Sequence, residues 1–250
     1  MGHGFFVPAI AVWIVWNTRS RIDKIEARTN WWGLAVMLLG LVQLYLATLG
    51  AELFVARVSF VVSLIGAVWF IGGTKILQAF AFPLFLLFFM IPIPAIIYNQ
   101  LTFRLQIIAS EAAEQAIDFL QIPIIREGNV LELANQKLNV VEACSGIRSL
   151  LTLTFLTLVY GYFFEKRTWI RVVLFLATIP IAIIANAGRV TMTGVVATIN
   201  PALAEGLFHE AEGWVIFMIA FAILVMLHQL ILRASKMIAR RREIHAQQPA

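Results

Sequence analysis

Cys144, the only cysteine of the chain, lies in Val140-Val141-Glu142-Ala143-Cys144-Ser145-Gly146, where a polar segment enters an apolar run. A thiol is the most nucleophilic side chain near neutral pH, provided its surroundings favour the thiolate. The helix expected to start beside it would place free N–H groups and a positive dipole end near the sulfur, which lowers a thiol pKa. Gly146 leaves room for close backbone approach. Arg189 closes Ala185-Asn186-Ala187-Gly188-Arg189, and His209 lies in Gly206-Leu207-Phe208-His209-Glu210-Ala211-Glu212-Gly213-Trp214. An arginine at membrane depth is costly and marks a functional or paired position. A histidine can take the thiol proton and return it to a leaving amine. Nucleophile, base and a cation for an oxyanion are what cysteine acyl transfer requires. Arg148, one turn after Cys144, rivals Arg189 for the oxyanion or substrate role.

Each of these residues also has a plainer use. A lone cysteine packs as a small hydrophobe, an arginine at a span end snorkels to the interface, and a loop histidine is solvated. Their convergence on one face is what argues for chemistry. Ser145 lacks a Gly-x-Ser-x-Gly elbow. Glu142, Glu210 and Glu212 could supply a carboxylate pair for sugar chemistry, although Glu142 more simply orients a cation or solvates the surface. His3 sits beside the N-terminus and His245 in the basic tail, and His228 is expected to be hydrogen-bonded within the bundle. No metal site is expected, since one cysteine excludes a cysteine cluster and the carboxylates lack a ligand spacing. No organic cofactor is needed.

The elements that must position these groups are membrane spans. The chain is 61% hydrophobic and 13% charged, with a mean hydropathy of +0.87. Apolar runs near the length that crosses about 30 Å of hydrocarbon recur at 4–18, 31–50, 53–72, 76–98, 147–164, 171–188 and 213–232. A shorter segment at 190–200 is open to crossing, re-entering or lying flat. The expected fold is an all-α polytopic bundle of about 7–8 transmembrane helices, read as a single domain over 1–250. The net charge of +5 resides in short loops and in the tail at 233–250, which encodes orientation and says little about nucleic acid. Placing Arg19 to Arg28, Lys75, Lys166 to Arg171 and the tail in the cytoplasm puts 99–146, the end of the span near 188 and the loop 200–212 on the outer face. No cleavable signal peptide is expected, because the first apolar run has no basic residue before it and no small-residue site after it. Leu101, Leu105, Ile108, Ala112, Ala116 and Phe119 recur at helical spacing against Arg104, Glu111, Glu114 and Asp118, predicting an outer-face amphipathic helix over 99–122. Beyond Pro123 the period becomes two. A β-hairpin is expected over 124–141, with its turn at Asn135-Gln136-Lys137.

At these residues the sequence resembles the exosortase/archaeosortase family of polytopic membrane cysteine enzymes, over nearly its whole length. Gly2-His3-Gly4-Phe5-Phe6-Val7-Pro8 resembles the family's His-Gly entry segment, and Phe82-Pro83 through Ile91-Pro92-Ile93-Pro94 its proline-rich central span. Glu142-Ala143-Cys144-Ser145-Gly146 resembles the nucleophile motif, Asn186-Ala187-Gly188-Arg189 the Asn-x-x-Arg motif, and Phe208-His209 with Gly213 the histidine motif. The resemblance implies Cys144 as nucleophile, His209 as acid/base and Arg189 as stabilising cation, supported by Arg148, Glu142, Asn186, Ser145 and Gly146. It also implies substrates: secreted proteins with a C-terminal Pro-Glu-Pro-like motif, a transmembrane helix and a basic cluster. These would be cleaved at the outer face of a bacterial inner membrane and passed to an acceptor, often alongside exopolysaccharide synthesis. The family pattern carries a further helix before the His-Gly segment, which implies about eight spans. The competing reading is a non-catalytic membrane component of polysaccharide assembly or export.

Overall fold

The structure, a computed structural model, describes Gly4 and residues 6–133, 136–140, 146–200 and 207–246. At residues 21, 136, 139, 207–210 and 239–246 it describes the backbone alone. The chain is mostly helical, with one small sheet among the described residues, and divides into units of residues 1–97 and 98–250. Among the described residues five helices are long and apolar enough to cross a membrane: Trp31–Leu49, Leu53–Met90, Gly146–Phe164, Thr168–Ile199 and Ala211–Ile238. A polytopic membrane protein follows. These five do not by themselves reach the seven or eight spans expected, for two physical reasons. The first helix has only 17 residues, and the runs read as 53–72 and 76–98 join without a polar loop between them.

The first unit contains α1 (Phe6–Ile22), α2 (Trp31–Leu49), α3 (Leu53–Leu86) and a 3-10 turn at Leu87–Met90. Asn30 caps α2 by accepting from the Trp32 N–H at 3.0 Å, and Glu52 caps α3 by accepting from Phe54 at 3.1 Å. α2 and α3 pack through small residues: a Cβ added at Gly33, Gly40 or Gly66 would fall 2.2 Å from Phe70 N, 2.6 Å from Ser63 Oγ or 2.3 Å from Met37 N. In lipid, close backbone approach of this kind supplies the van der Waals contact that holds helices together. α3 breaks at Gly73, whose φ of 77° and ψ of −178° belong to a region that essentially only glycine occupies. The N–H groups of Arg28 and Asn30 donate to the carbonyls of Gly72 and Phe70, seating the basic loop after α1 on that break.

The second unit is built on α4 (Ala95–Phe119), which begins three residues before the unit boundary, and on three long helices: α5 (Gly146–Phe164), α6 (Thr168–Ile199) and α7 (Leu207–Ala246). Pro92 and Pro94 lie in the non-helical stretch that separates α4 from the preceding turn, so the amphipathic helix starts at Ala95 rather than 99. Its buried stripe of Gln106, Ala109, Ser110, Ala113 and Ile117 faces a sheet. That sheet contains the expected hairpin and adds a strand before it. It is a three-stranded antiparallel meander of β1 (Ile124–Glu127), β2 (Val130–Leu133) and β3 (Gln136–Asn139). Gln136 and Lys137 belong to a strand, not to the turn assigned to them. The unexpected first turn is made possible by Gly128 at φ 65°. Lys137 pairs with Glu132 across the strands, and Arg126 Nε donates to Glu114 of α4 at 2.6 Å.

The segment 190–200 is neither a separate crossing nor a re-entrant piece; it continues α6. Val190 packs with Ala109, Ala113, Leu131 and Val140, and Ala197 packs with Ile117 and Leu133, so this end of α6 floors the sheet. Toward its start, α6 instead shares a three-helix core in which Ala182 meets Leu153 and Ala220, and Leu174 meets Ile170 and Leu224. The helix is 32 residues long, about 48 Å at 1.5 Å per residue, well beyond the hydrocarbon thickness. α7 likewise runs to Ala246, so the basic tail is helical to that point.

Candidate active site

Arg189 stands where α6 leaves the three-helix core and enters the core beneath the sheet, between Ala182 and Val190. Its guanidinium rests on the backbone of α7. A Cβ added at Gly213 would fall 3.0 Å from Arg189 Cζ, 3.1 Å from one terminal nitrogen and 3.2 Å from the other. One turn earlier on α6, Asn186 is buried against the first residue of α5, where a Cβ at Gly146 would fall 2.8 Å from Asn186 Nδ2. Two glycines therefore let two polar side chains of one helix reach the backbones of its two neighbours.

These contacts bring three of the sequence motifs to one end of the α5–α7 bundle. Gly146 opens α5 two residues after Cys144, and Gly213 follows His209 by four residues on α7. Cys144, Glu142 and Ser145 lie outside the described residues, and for His209 only the helical backbone is described. A cavity of about 20 Å³ lies directly below, with Ser149, Asn186, Arg189 and Gly213 around it and Leu153 and Ala220 among its apolar walls. That is room for one water molecule, with polar groups to hold it, and for nothing larger. Asn186 also lines a smaller space of about 10 Å³ beside Gly146 and Leu105.

Arg148 is not brought to this cluster as a buried group; it is exposed on the first turn of α5, where its carbonyl accepts from Thr152. Glu212, named above as a possible member of a carboxylate pair, is 4% exposed and accepts from Thr193 Oγ1 at 2.9 and 3.2 Å. Sequence reasoning did not single out Thr193. The signal was present in the spacing, since Thr193 follows Arg189 by one turn and Glu212 follows His209 by nearly one.

The opposite end of the same bundle holds a second polar cluster. Tyr160, Glu165 and His228 come together there, with His228 1% and Glu165 5% exposed. Glu165 Oε2 lies 3.1 Å from His228 Nε2, and Tyr160 Oη lies 2.8 Å from Nδ1. A carboxylate only accepts, so Nε2 of His228 is the donor in that contact. Burial pushes the Glu165 carboxyl up, but the N–H groups of Arg167 and Lys166 and the His228 ring together hold it below the ordinary range. This cluster ties α7 to the loop between α5 and α6, at the far end of α5 from Gly146.

No curated protein and no solved structure matches the chain. A family match does cover most of it, from the His-Gly segment through the nucleophile, Asn-x-x-Arg and histidine motifs: over residues 1–226 the chain belongs to the transmembrane exosortases.

Proposed function

We propose that this exosortase is a membrane-embedded cysteine protease and transpeptidase. It cleaves the C-terminal Pro-Glu-Pro-type sorting signal of secreted proteins at the outer face of a bacterial inner membrane, with its own C-terminus cytoplasmic. The observation that carries the reading is the seating of Arg189 on Gly213 and of Asn186 against Gly146, which gathers the three motif-bearing helices at one level. In this mechanism His209 accepts the Cys144 proton, and the thiolate attacks the scissile carbonyl. The tetrahedral oxyanion faces the Arg189 guanidinium. Collapse breaks the C–N bond, the leaving amine takes the proton from His209, and the N-terminal part of the substrate remains as a thioester on Cys144. An acceptor nucleophile of the cell envelope, activated by the same histidine, then releases the protein. In this reading the acidic residue of the sorting motif meets Arg148, which is exposed on the first turn of α5, or Arg189. The substrate's own transmembrane helix supplies remote binding energy that positions the bond.

Co-expression with a reporter carrying such a C-terminal tail tests the proposal by blotting and intact mass. Tail loss with wild type and not with Cys144→Ala is expected. Equal, uncleaved reporter in both, with several tails tried and expression verified, would favour a non-catalytic role in polysaccharide assembly.

A further inference from the structure

Glu212 is a buried carboxylate that the proposed reaction does not use. Thr193, whose hydroxyl it accepts, is itself 1% exposed. The two helices that carry the cation and the histidine therefore touch at two successive levels. At one, the Arg189 guanidinium lies on Gly213; one turn along α6, the Thr193 hydroxyl meets the carboxylate beside that glycine. A hydrogen bond to a carboxylate is directional and short-ranged. Stability alone is a weak reason for a buried carboxylate, since apolar packing at such sites serves at least as well. What a buried polar bond supplies is one fixed register.

We propose that Glu212 is a positioning residue for the acyl transfer: by accepting from Thr193 it sets the level of His209 on α7 against Arg189 on α6. The inference rests on the roles proposed above for those two residues. Reactive groups displaced by about 1 Å lose on the order of 100-fold in rate, which gives the scale expected of a slipped helix.

The test uses the purified full chain in lipid nanodiscs. Glu212→Ala, Thr193→Val, Thr193→Ser and the Thr193→Val/Glu212→Ala double variant are compared for kcat and KM on the reporter. The rate of Cys144 alkylation by iodoacetamide is followed across pH. Glu212→Ala should lower kcat on the order of 100-fold with KM little changed, and Thr193→Val should do so about tenfold, the loss of one charge-assisted hydrogen bond. Thr193→Ser should restore the rate, and the double variant should be no worse than Glu212→Ala. Wild-type kcat in a folded Glu212→Ala chain, or losses that simply add, would overturn the proposal. If wild type leaves the reporter intact, the reaction reading fails and alkylation alone decides the role of Glu212. Slowing to the His209→Ala rate supports positioning, and an unchanged rate refutes it. Should Glu212→Ala not fold, the Thr193→Val variant decides instead: a loss rescued by serine supports positioning, and wild-type kcat refutes it.

Discussion

Gly213→Ala is the sharpest perturbation of the proposed centre, because it adds one carbon to the surface on which Arg189 rests. The new Cβ would lie 3.0 Å from Cζ and little farther from both terminal nitrogens. Carbon atoms in contact prefer about 3.5–4.0 Å, so the guanidinium must move by roughly 0.5–1 Å. Displacement on that scale should lower kcat by about 10- to 100-fold if Arg189 faces the oxyanion. Stability should move the other way or not at all, since alanine is favoured over glycine by about 0.8–1.0 kcal/mol within a helix. Gly188→Ala separates the two effects, because a Cβ there meets nothing within 4 Å. It gains the same helix propensity and should leave kcat at the wild-type value. The assay is reporter cleavage by purified variants in nanodiscs, with thermal denaturation recorded on the same samples. Wild-type kcat in a well-folded Gly213→Ala chain would refute the reasoning that Arg189, held at this position, stabilises the transition state.

Gly73→Ala should lower the thermal midpoint. The backbone strain of its conformation costs on the order of 1–3 kcal/mol, and the Arg28 carbonyl oxygen lies 2.2 Å from the added carbon; an unshifted midpoint would contradict the break described in α3. A double-mutant cycle on Glu165→Gln and His228→Ala should return a coupling of roughly 0.5–3 kcal/mol in stability and leave kcat unaltered, since the cluster is at the far end of α5–α7. Additive losses would argue against the bond. Glu165 also predicts a pH dependence. Its carboxyl is depressed in the folded chain by the N–H groups of Arg167 and Lys166 and by His228, against the opposing pull of burial. The stabilisation is therefore complete above the unfolded carboxyl value of about 4.3 and is lost as pH falls through the lower folded one. Denaturation midpoints should decline with acid in that window, less steeply in Glu165→Gln, and parallel curves for the two would count against it.

The membrane class, the amphipathic α4 and the strands beyond Pro123 were legible because each has its own apolar period. The joined pair of runs in α3 reads as two separate spans because Gly73 bends the chain with no polar loop to announce it. Segment 190–200 is ambiguous for a related reason. It continues α6 and packs beneath a sheet, so its polar content suits neither a separate span nor a loop. The turn between β1 and β2 was hidden because it depends on one glycine with positive φ, and β3 starts earlier than expected because Gln136 and Lys137 look like turn residues. At the candidate site, the motif residues Asn186 and Arg189 could be named from sequence. Gly146 and Gly213 could be named too, but not which side chains they seat; spacing puts Thr193 and Glu212 near the motif residues, yet their bond was not legible, since sequence does not reveal which faces of two helices meet.

The most direct test of the central claim is acid-quenched intact mass spectrometry of the purified enzyme mixed with a sorting-signal substrate. The account predicts a species equal to the enzyme plus the N-terminal part of the substrate. It should be released by hydroxylamine, localise to the peptide containing Cys144 and be absent in Cys144→Ala. Cleavage of the substrate by Cys144→Ala at the wild-type rate, with no such species in either chain, would contradict it.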